Sequence, residues 1–230
     1  MSSNTKSKPK FGMSKMLMYQ MMALVAIVLV FVAGNYFFKK SLHTVMKAPD
    51  FELTDQNNKK ITNKDLAGKV YVVEFFYARC PTICPVMNSN LKFVDKEINN
   101  SDFGIVSITI DPDNDTPAFL KEHAKKLGVK NPNWHFLTGD RDYIGKLANE
   151  FDIYVGDKND KAENLNHSGM IALVDKNGNV RCRFGKDGMP ILYYSGLNYE
   201  DENGTKPKLN GKYQPDRKIL IEDIKILLEE

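Results

Sequence analysis

The sequence predicts an α/β domain built on a parallel sheet and preceded by a helix that crosses a membrane. Three observations carry this prediction. Val70 to Tyr77 is an apolar, β-branched and aromatic run bounded by Gly68-Lys69, the mark of a strand buried on both faces. Cys80 and Cys84 follow it at once, and then Met87, Leu91, Val94 and Ile98 recur as the apolar stripe of a helix opening near Cys84. Met16 to Phe38 is an uncharged run of 23 residues whose clearly polar side chains are Gln20 and Asn35.

That run is long enough to span a bilayer and too uniformly apolar to be a core helix. A cleaved signal would be shorter and end in small residues, for which Val32-Ala33-Gly34 is a weak match. The expected order is a basic tail (1–15), an anchor (16–38), a juxtamembrane linker (39–47) and one folded domain (48–230). Residues 1–47 hold seven of the 32 Lys and Arg and none of the 29 Asp and Glu, which leaves residues 48–230 at −4. The basic balance therefore belongs to the membrane flanks, and nucleic acid is not an expected partner. The flanking lysines place the N-terminus inside and the domain outside, in the periplasm of a cell with a single-pass inner (cytoplasmic) membrane anchor. Lipid contact is then confined to the N-terminal helix. Three cysteines are too few for a disulfide scaffold and leave at least one unpaired.

Within the domain, Phe51 and Leu53 alternate with polar residues, Asp55 to Asn58 turns, and Lys60 to Thr62 returns as a hairpin. Asn63 to Lys69 is a loop with a helical turn. Gly104 to Ile110 is a second buried strand, ending at Asp111-Pro112. Thr116-Pro117 supplies an N-cap and a first-turn proline for a helix that stops at Gly128. Trp134 to Thr138 is a third strand, and Gly139-Asp140 opens a helix whose Tyr143, Ile144, Leu147, Ala148 and Phe151 recur at helical spacing. Ile153 to Val155 is extended, and Gly156 to Asn166 is an exposed polar loop. Met170 to Val174 and Val180 to Phe184 form a hairpin around Asp175-Lys176-Asn177-Gly178. Gly185 to Tyr213 carries no legible pattern, and Pro215-Asp216 opens a last helix with Leu220, Ile224, Leu227 and Leu228 inward.

Strand, paired cysteines at a helix start, βα units, hairpin and final helix make the plan of the thioredoxin fold. In that plan the loop before the hairpin lies beside the cysteines, which brings His167 toward Cys80 and Cys84. The chain resembles the Sco/SenC family of membrane-anchored, thioredoxin-like copper proteins from about Ala48 to the C-terminus. The resemblance rests on Phe51 to Asp55, Cys80-Pro81-Thr82-Ile83-Cys84-Pro85, Asp111-Pro112 with Asp115-Thr116-Pro117, Trp134 with Leu137-Thr138-Gly139, and His167-Ser168 ahead of Leu173 to Gly178. Asn114 stands where the family usually has arginine, and Asn166 where aspartate is usual.

The resemblance implies a copper metallochaperone that serves assembly of the dinuclear copper centre of cytochrome c oxidase, with a copper-accepting oxidase subunit as partner. It implies Cys80, Cys84 and His167 as ligands, a donor set suited to Cu(I) and able to hold Cu(II). The rival reading is an enzyme, a thiol–disulfide oxidoreductase in which Cys80 and Cys84 cycle. Three intervening residues instead of two argue against it. Asp111, at a strand end, is a candidate for supporting the site or facing a partner, or else simply caps its turn. The helix start is expected to favour thiolate at the cysteines. Cys182, alternating with Arg181 and Arg183, reads as a core thiol, and Met170 as packing.

The topology has a direct test. A reporter that works only in the cytoplasm, fused after Glu230, is expected to be inactive. Activity there, or a mature chain beginning near Gly34, would overturn the anchored arrangement.

Overall fold

The computed structural model describes the backbone of residues 15–37, 41–81, 83–156, 168–185, 188–197 and 216–230. The chain divides into two units, Met1–Lys40 and Ser41–Glu230. In the first lies helix α1 (Lys15–Phe37), the helix expected there. Its side chains are described only as far as Val30, short of the ~20 apolar residues a bilayer crossing takes. Among the described residues no helix is long and apolar enough to cross a membrane.

The second unit runs β1 (His43–Lys47), β2 (Glu52–Asp55), β3 (Lys60–Thr62), a 3-10 turn (Asn63–Leu66), β4 (Val70–Phe76), α2 (Ile83–Ile98), β5 (Phe103–Thr109), α3 (Pro117–Leu127), β6 (Trp134–Thr138), α4 (Arg141–Glu150), β7 (Met170–Val174), β8 (Asn179–Phe184), β9 (Pro190–Ile191), β10 (Tyr194–Ser195) and α5 (Asp216–Glu229). One sheet carries the order β1-β8-β7-β4-β5-β6-β2-β3. Among these pairs only β4–β5 and β5–β6 are parallel, and these are the strands joined by helical crossovers. All seven residues of β4 and all seven of β5 are buried, as their mainly apolar runs lead one to expect.

Successive residues of β4 point to opposite faces, so Phe75 and Phe76 report the two layers. The Phe76 ring meets His123 of α3, which also packs edge-on against Phe136, and Asn88 of α2 lies 3.5 Å from the same histidine. Phe75 meets Phe151 at the end of α4 on the other side. Asp223 of α5 takes the Arg183 guanidinium and the Tyr194 hydroxyl, fastening α5 to the hairpin strands. The caps are the expected ones. Thr116 Oγ1 accepts from Phe119 N at 3.3 Å, Asp140 Oδ1 accepts from Tyr143 N at 2.8 Å, and Gly128 ends α3 at φ 70°, where a side chain would be strained.

Four expectations change. Residues 43–47, expected as linker, are strand β1, paired antiparallel with β8 from His43↔Cys182 to Lys47↔Asn179, so the folded unit begins ahead of Ala48. Ile153 to Val155 joins no strand. The stretch after Gly185 is not wholly irregular: β7 and β8 share a single ladder pair, Val174↔Val180, and then part. β9 pairs β8 and β10 pairs β7 in the opening, and two-residue strands leave too short a pattern to read. Met170 is 38% exposed rather than packed. Cys182 is buried and free, as expected, although it stands apart from the main apolar cluster.

Inside the central strand sits a carboxyl group. Glu74 is fully buried; Ser107 Oγ donates to its Oε1 at 2.6 Å, and Trp134 Nε1 donates to Ser107 Oγ at 3.0 Å. Its Oε2 has no hydrogen-bond partner among the described residues. Burial pushes Glu74 up to about 7. The folded chain therefore holds a proton that the unfolded chain releases above pH 4.5, so this group's contribution to stability falls as pH rises from about 4.5 to about 7. The loss is on the order of 3 kcal/mol. Glu74→Gln is expected to raise the urea midpoint at pH 8 and leave it little changed at pH 4.5. Equal midpoints for the two proteins at pH 8 would show that Glu74 ionises without penalty.

Candidate metal centre

The cysteines sit where β4 runs out of sheet. The last bond of that edge runs from Ile110 N to Phe76 O at 2.8 Å, after which the chain turns, with Cys80 N donating to Tyr77 O at 3.2 Å. Cys84 lies in the first turn of α2, where backbone N–H groups have no partner within the helix. Its own N–H reaches back to Cys80 Sγ at 3.5 Å. The Tyr77 hydroxyl bonds the same sulfur. Both cysteines are buried, at 7% and 2% exposure, and neither is in a disulfide.

This environment is asymmetric. The hydrogen bond with Cys80 pushes the Cys84 thiol far up, and burial pushes it further; Tyr77 is raised by burial and then by Cys80. The expectation that the helix start favours thiolate is corrected at Cys84. Donors converge on Cys80, while Cys84 is held toward the protonated form by its hydrogen bond with Cys80 and by burial away from water.

His167, the third expected ligand, lies outside the described residues, as does Thr82 between the cysteines. Its flank is described. Ser168 N donates to Tyr154 O at 3.1 Å, and Gly196 N donates to Gly169 O at 2.8 Å. Gly196 in turn lies against α2, where a Cβ would stand 3.0 Å from Met87 Cγ, three residues past Cys84. β7 then runs antiparallel to β4, with Ile171 opposite Glu74, so it starts at the cysteine end of the sheet. Among the described residues no three metal-ligating side chains converge. The two sulfurs do, and adjacent soft donors fit copper or zinc and poorly fit magnesium or calcium. The same pair can close a disulfide.

Asp111 is buried beside this site, and its carboxylate is fully engaged. It accepts from Asn114 Nδ2 at 2.9 and 3.1 Å and from Arg141 Nη2 at 3.2 Å. Asn114 Oδ1 in turn accepts from Arg79 Nη1 at 3.0 Å, and the Arg79 guanidinium lies 4.6 Å over the Phe119 ring. Asp111 thus both closes its turn and reaches the residue before Cys80. Two residues escaped the sequence reading. Tyr77 had a visible signal, a phenol at the end of the run that leads into Cys80. Asp115, whose Oδ2 accepts from Ala78 N at 2.9 Å, had only its place in Asp111-Pro112-Asp113-Asn114-Asp115.

Comparison with known proteins bears on this arrangement. The chain is 33% identical to an SCO2-like protein of Rickettsia felis over 147 residues, 61% of this chain and 70% of that one. It is 28% identical over 138 residues to a putative copper-binding protein of Stutzerimonas stutzeri, 58% of this chain and 66% of that one. Its fold matches the solved structure of BsSco, described as containing a disulfide switch and as a member of the Sco family of cytochrome c oxidase assembly proteins. That match has a TM-score of 0.62 at 25% identity, covering 83% of this chain and 97% of that one. The SCO1/SenC family model matches residues 40–197, which includes the β4–α2 corner with both cysteines and the strands around it, and the chain belongs to that family.

Proposed function

We propose that this protein is a membrane-anchored copper metallochaperone that delivers copper to the dinuclear copper centre of cytochrome c oxidase and so aids its assembly. The observation that carries the reading is the buried pair of cysteines outside any disulfide at the β4–α2 corner, with hydrogen-bond donors gathered on Cys80. Cys80 and Cys84 bind copper as thiolates, and His167 completes the site from the loop ahead of Ser168. The naming of a relative as copper-binding and of the Sco family as oxidase assembly proteins supports the cargo and the destination. Residues 16–38 anchor the chain in the inner membrane, and the domain, with its copper site, works in the periplasm.

Metal binding requires both sulfurs reduced, so copper loading and disulfide formation exclude each other. Copper passes to a cysteine-bearing oxidase subunit by ligand exchange. The second reading, a thiol–disulfide oxidoreductase acting on periplasmic cysteines, is favoured by the hydrogen bond between the two cysteine side chains and by the disulfide switch described for BsSco. The two readings part at His167. Attack on a disulfide depends on thiolate fraction, leaving-group pKa and access, none of which needs an imidazole ligand.

His167→Ala is expected to keep Cys80–Cys84 exchange within about tenfold and to weaken copper retention much more, most of all for Cu(II), to which thiolate alone is the poorer match. Copper titration and thiol–disulfide exchange on one preparation check this. Unchanged copper binding with collapsed exchange would favour the enzyme. Cys182→Ala, at a buried site away from the pair, is expected to leave copper stoichiometry unchanged and cost about 1 kcal/mol of stability. Loss of one equivalent of copper would force a different ligand set.

A further inference from the structure

Ala78 and Arg79 lead into Cys80, and sheet pairing does not reach them, since the last bond of this edge is the one from Ile110 N to Phe76 O. A side chain takes over. Asp115 Oδ2 accepts from Ala78 N at 2.9 Å and from Thr109 Oγ1 at 2.6 Å. Asp115 is 0% exposed, and its Oδ1 has no hydrogen-bond partner among the described residues. Turn closure does not explain this burial. The turn after β5 is closed by Asn114 N and Asp115 N on Asp111 O, at 3.1 and 2.9 Å, and α3 is capped by Thr116. A carboxylate is therefore kept out of water, half satisfied, and its bond outside the β5–α3 connection goes to the residue two before Cys80.

We propose that Asp115 is the positioning residue of the cysteine pair: it pins the Ala78–Arg79 lead-in to the end of β5 and so fixes where Cys80 stands relative to Cys84. Arg79, held by Asn114 from the same turn, gives the lead-in a second attachment. Both metal capture by two sulfurs and closure of a disulfide need the sulfurs held near one another. A loosened lead-in lowers the effective concentration of one thiol at the other and weakens both. The inference rests on the reading of Cys80 and Cys84 as a working pair, whichever of the two functions they serve.

The test uses the full chain with Asp115→Ala, Asp115→Asn and Thr109→Val. The Cys80–Cys84 disulfide is equilibrated with a dithiothreitol redox buffer, copper retention is titrated on the reduced protein, and urea unfolding reports the fold. Asp115→Ala is expected to lower the disulfide equilibrium constant about tenfold, about 30 mV for a two-electron couple, and to weaken copper retention by a similar factor. Asp115→Asn keeps an oxygen for Ala78 N and is expected to restore the equilibrium constant to within about threefold, even where its amide lowers the urea midpoint. Thr109→Val strips one donor from the carboxylate and is expected to shift the constant the same way by a smaller factor, which decides the matter should Asp115→Ala not fold. A folded Asp115→Ala, or a folded Thr109→Val in its place, with an unchanged constant overturns the proposal. So does an Asp115→Asn protein no better than Asp115→Ala. The disulfide equilibrium is read without metal, so a parent protein that binds no copper would sink the metallochaperone reading and leave this test standing.

Discussion

Beyond Phe76 the central strand has no ladder left, and the architecture of the cysteine end follows from where its next backbone groups find partners. Each buried N–H or C=O left unmade there would cost ~1–3 kcal/mol. The chain answers within a few residues. Cys80 N folds back on Tyr77 O, Ala78 N is taken by Asp115, and Cys84 N, in the first helical turn, points at a sulfur. The cysteines are thus not decorations on a finished fold. Their loop is the join between a strand that has ended and a helix that has not yet closed its first bonds.

The same economy explains why polar groups line up along the parallel strands of an otherwise apolar core. Glu74, Ser107 and Trp134 lie on neighbouring strands and satisfy one another in a row, and Thr109 hands its hydroxyl to Asp115 while accepting from Asp111 N at 3.0 Å. Within these two groups of residues one oxygen each, Glu74 Oε2 and Asp115 Oδ1, has no hydrogen-bond partner among the described residues. Both belong to carboxyl groups that burial drives toward the protonated form. A core able to do without them would be more stable as hydrocarbon, so their presence near the cysteine end points to demands other than stability.

Much of this was legible from residues alone because it was written in long periodic patterns or in strong local chemistry. The β4 run, the α2 stripe, the Thr116-Pro117 and Asp140 caps and the hairpin around Asn177-Gly178 each follow from a few neighbouring side chains. What escaped depends on distant partners. His43 to Lys47 becomes a strand because β8 offers an edge to pair with, and Pro190 to Ser195 because β7 and β8 part. The site divides in the same way: the cysteine pair was visible as a motif, whereas Asp115 gains its meaning only from Ala78, 37 positions away in sequence. The helix-start argument for thiolate failed at Cys84 for a related reason, since a nearby sulfur and burial outweigh a dipole worth about 1 kcal/mol.

Asn114 shows how a departure from a family's usual residue can be absorbed by the rest of the structure. An arginine there would place a guanidinium beside the buried Asp111 carboxylate. Here the amide bridges Asp111 and Arg79 without adding charge, and the cation comes from Arg141 at the start of α4, which also holds Asp113 at 2.8 Å. The balance at Asp111 is kept by an element from the opposite layer of the sheet. The surface beside Cys80 changes nonetheless. Arg79, spread over Phe119 and tied to Asn114, becomes the exposed cation nearest the thiols along the chain. A positive charge is therefore fixed to the cysteine loop itself, one residue from Cys80, by a hydrogen bond to Asn114 and a ring face of Phe119 rather than carried on a long side chain free in solvent.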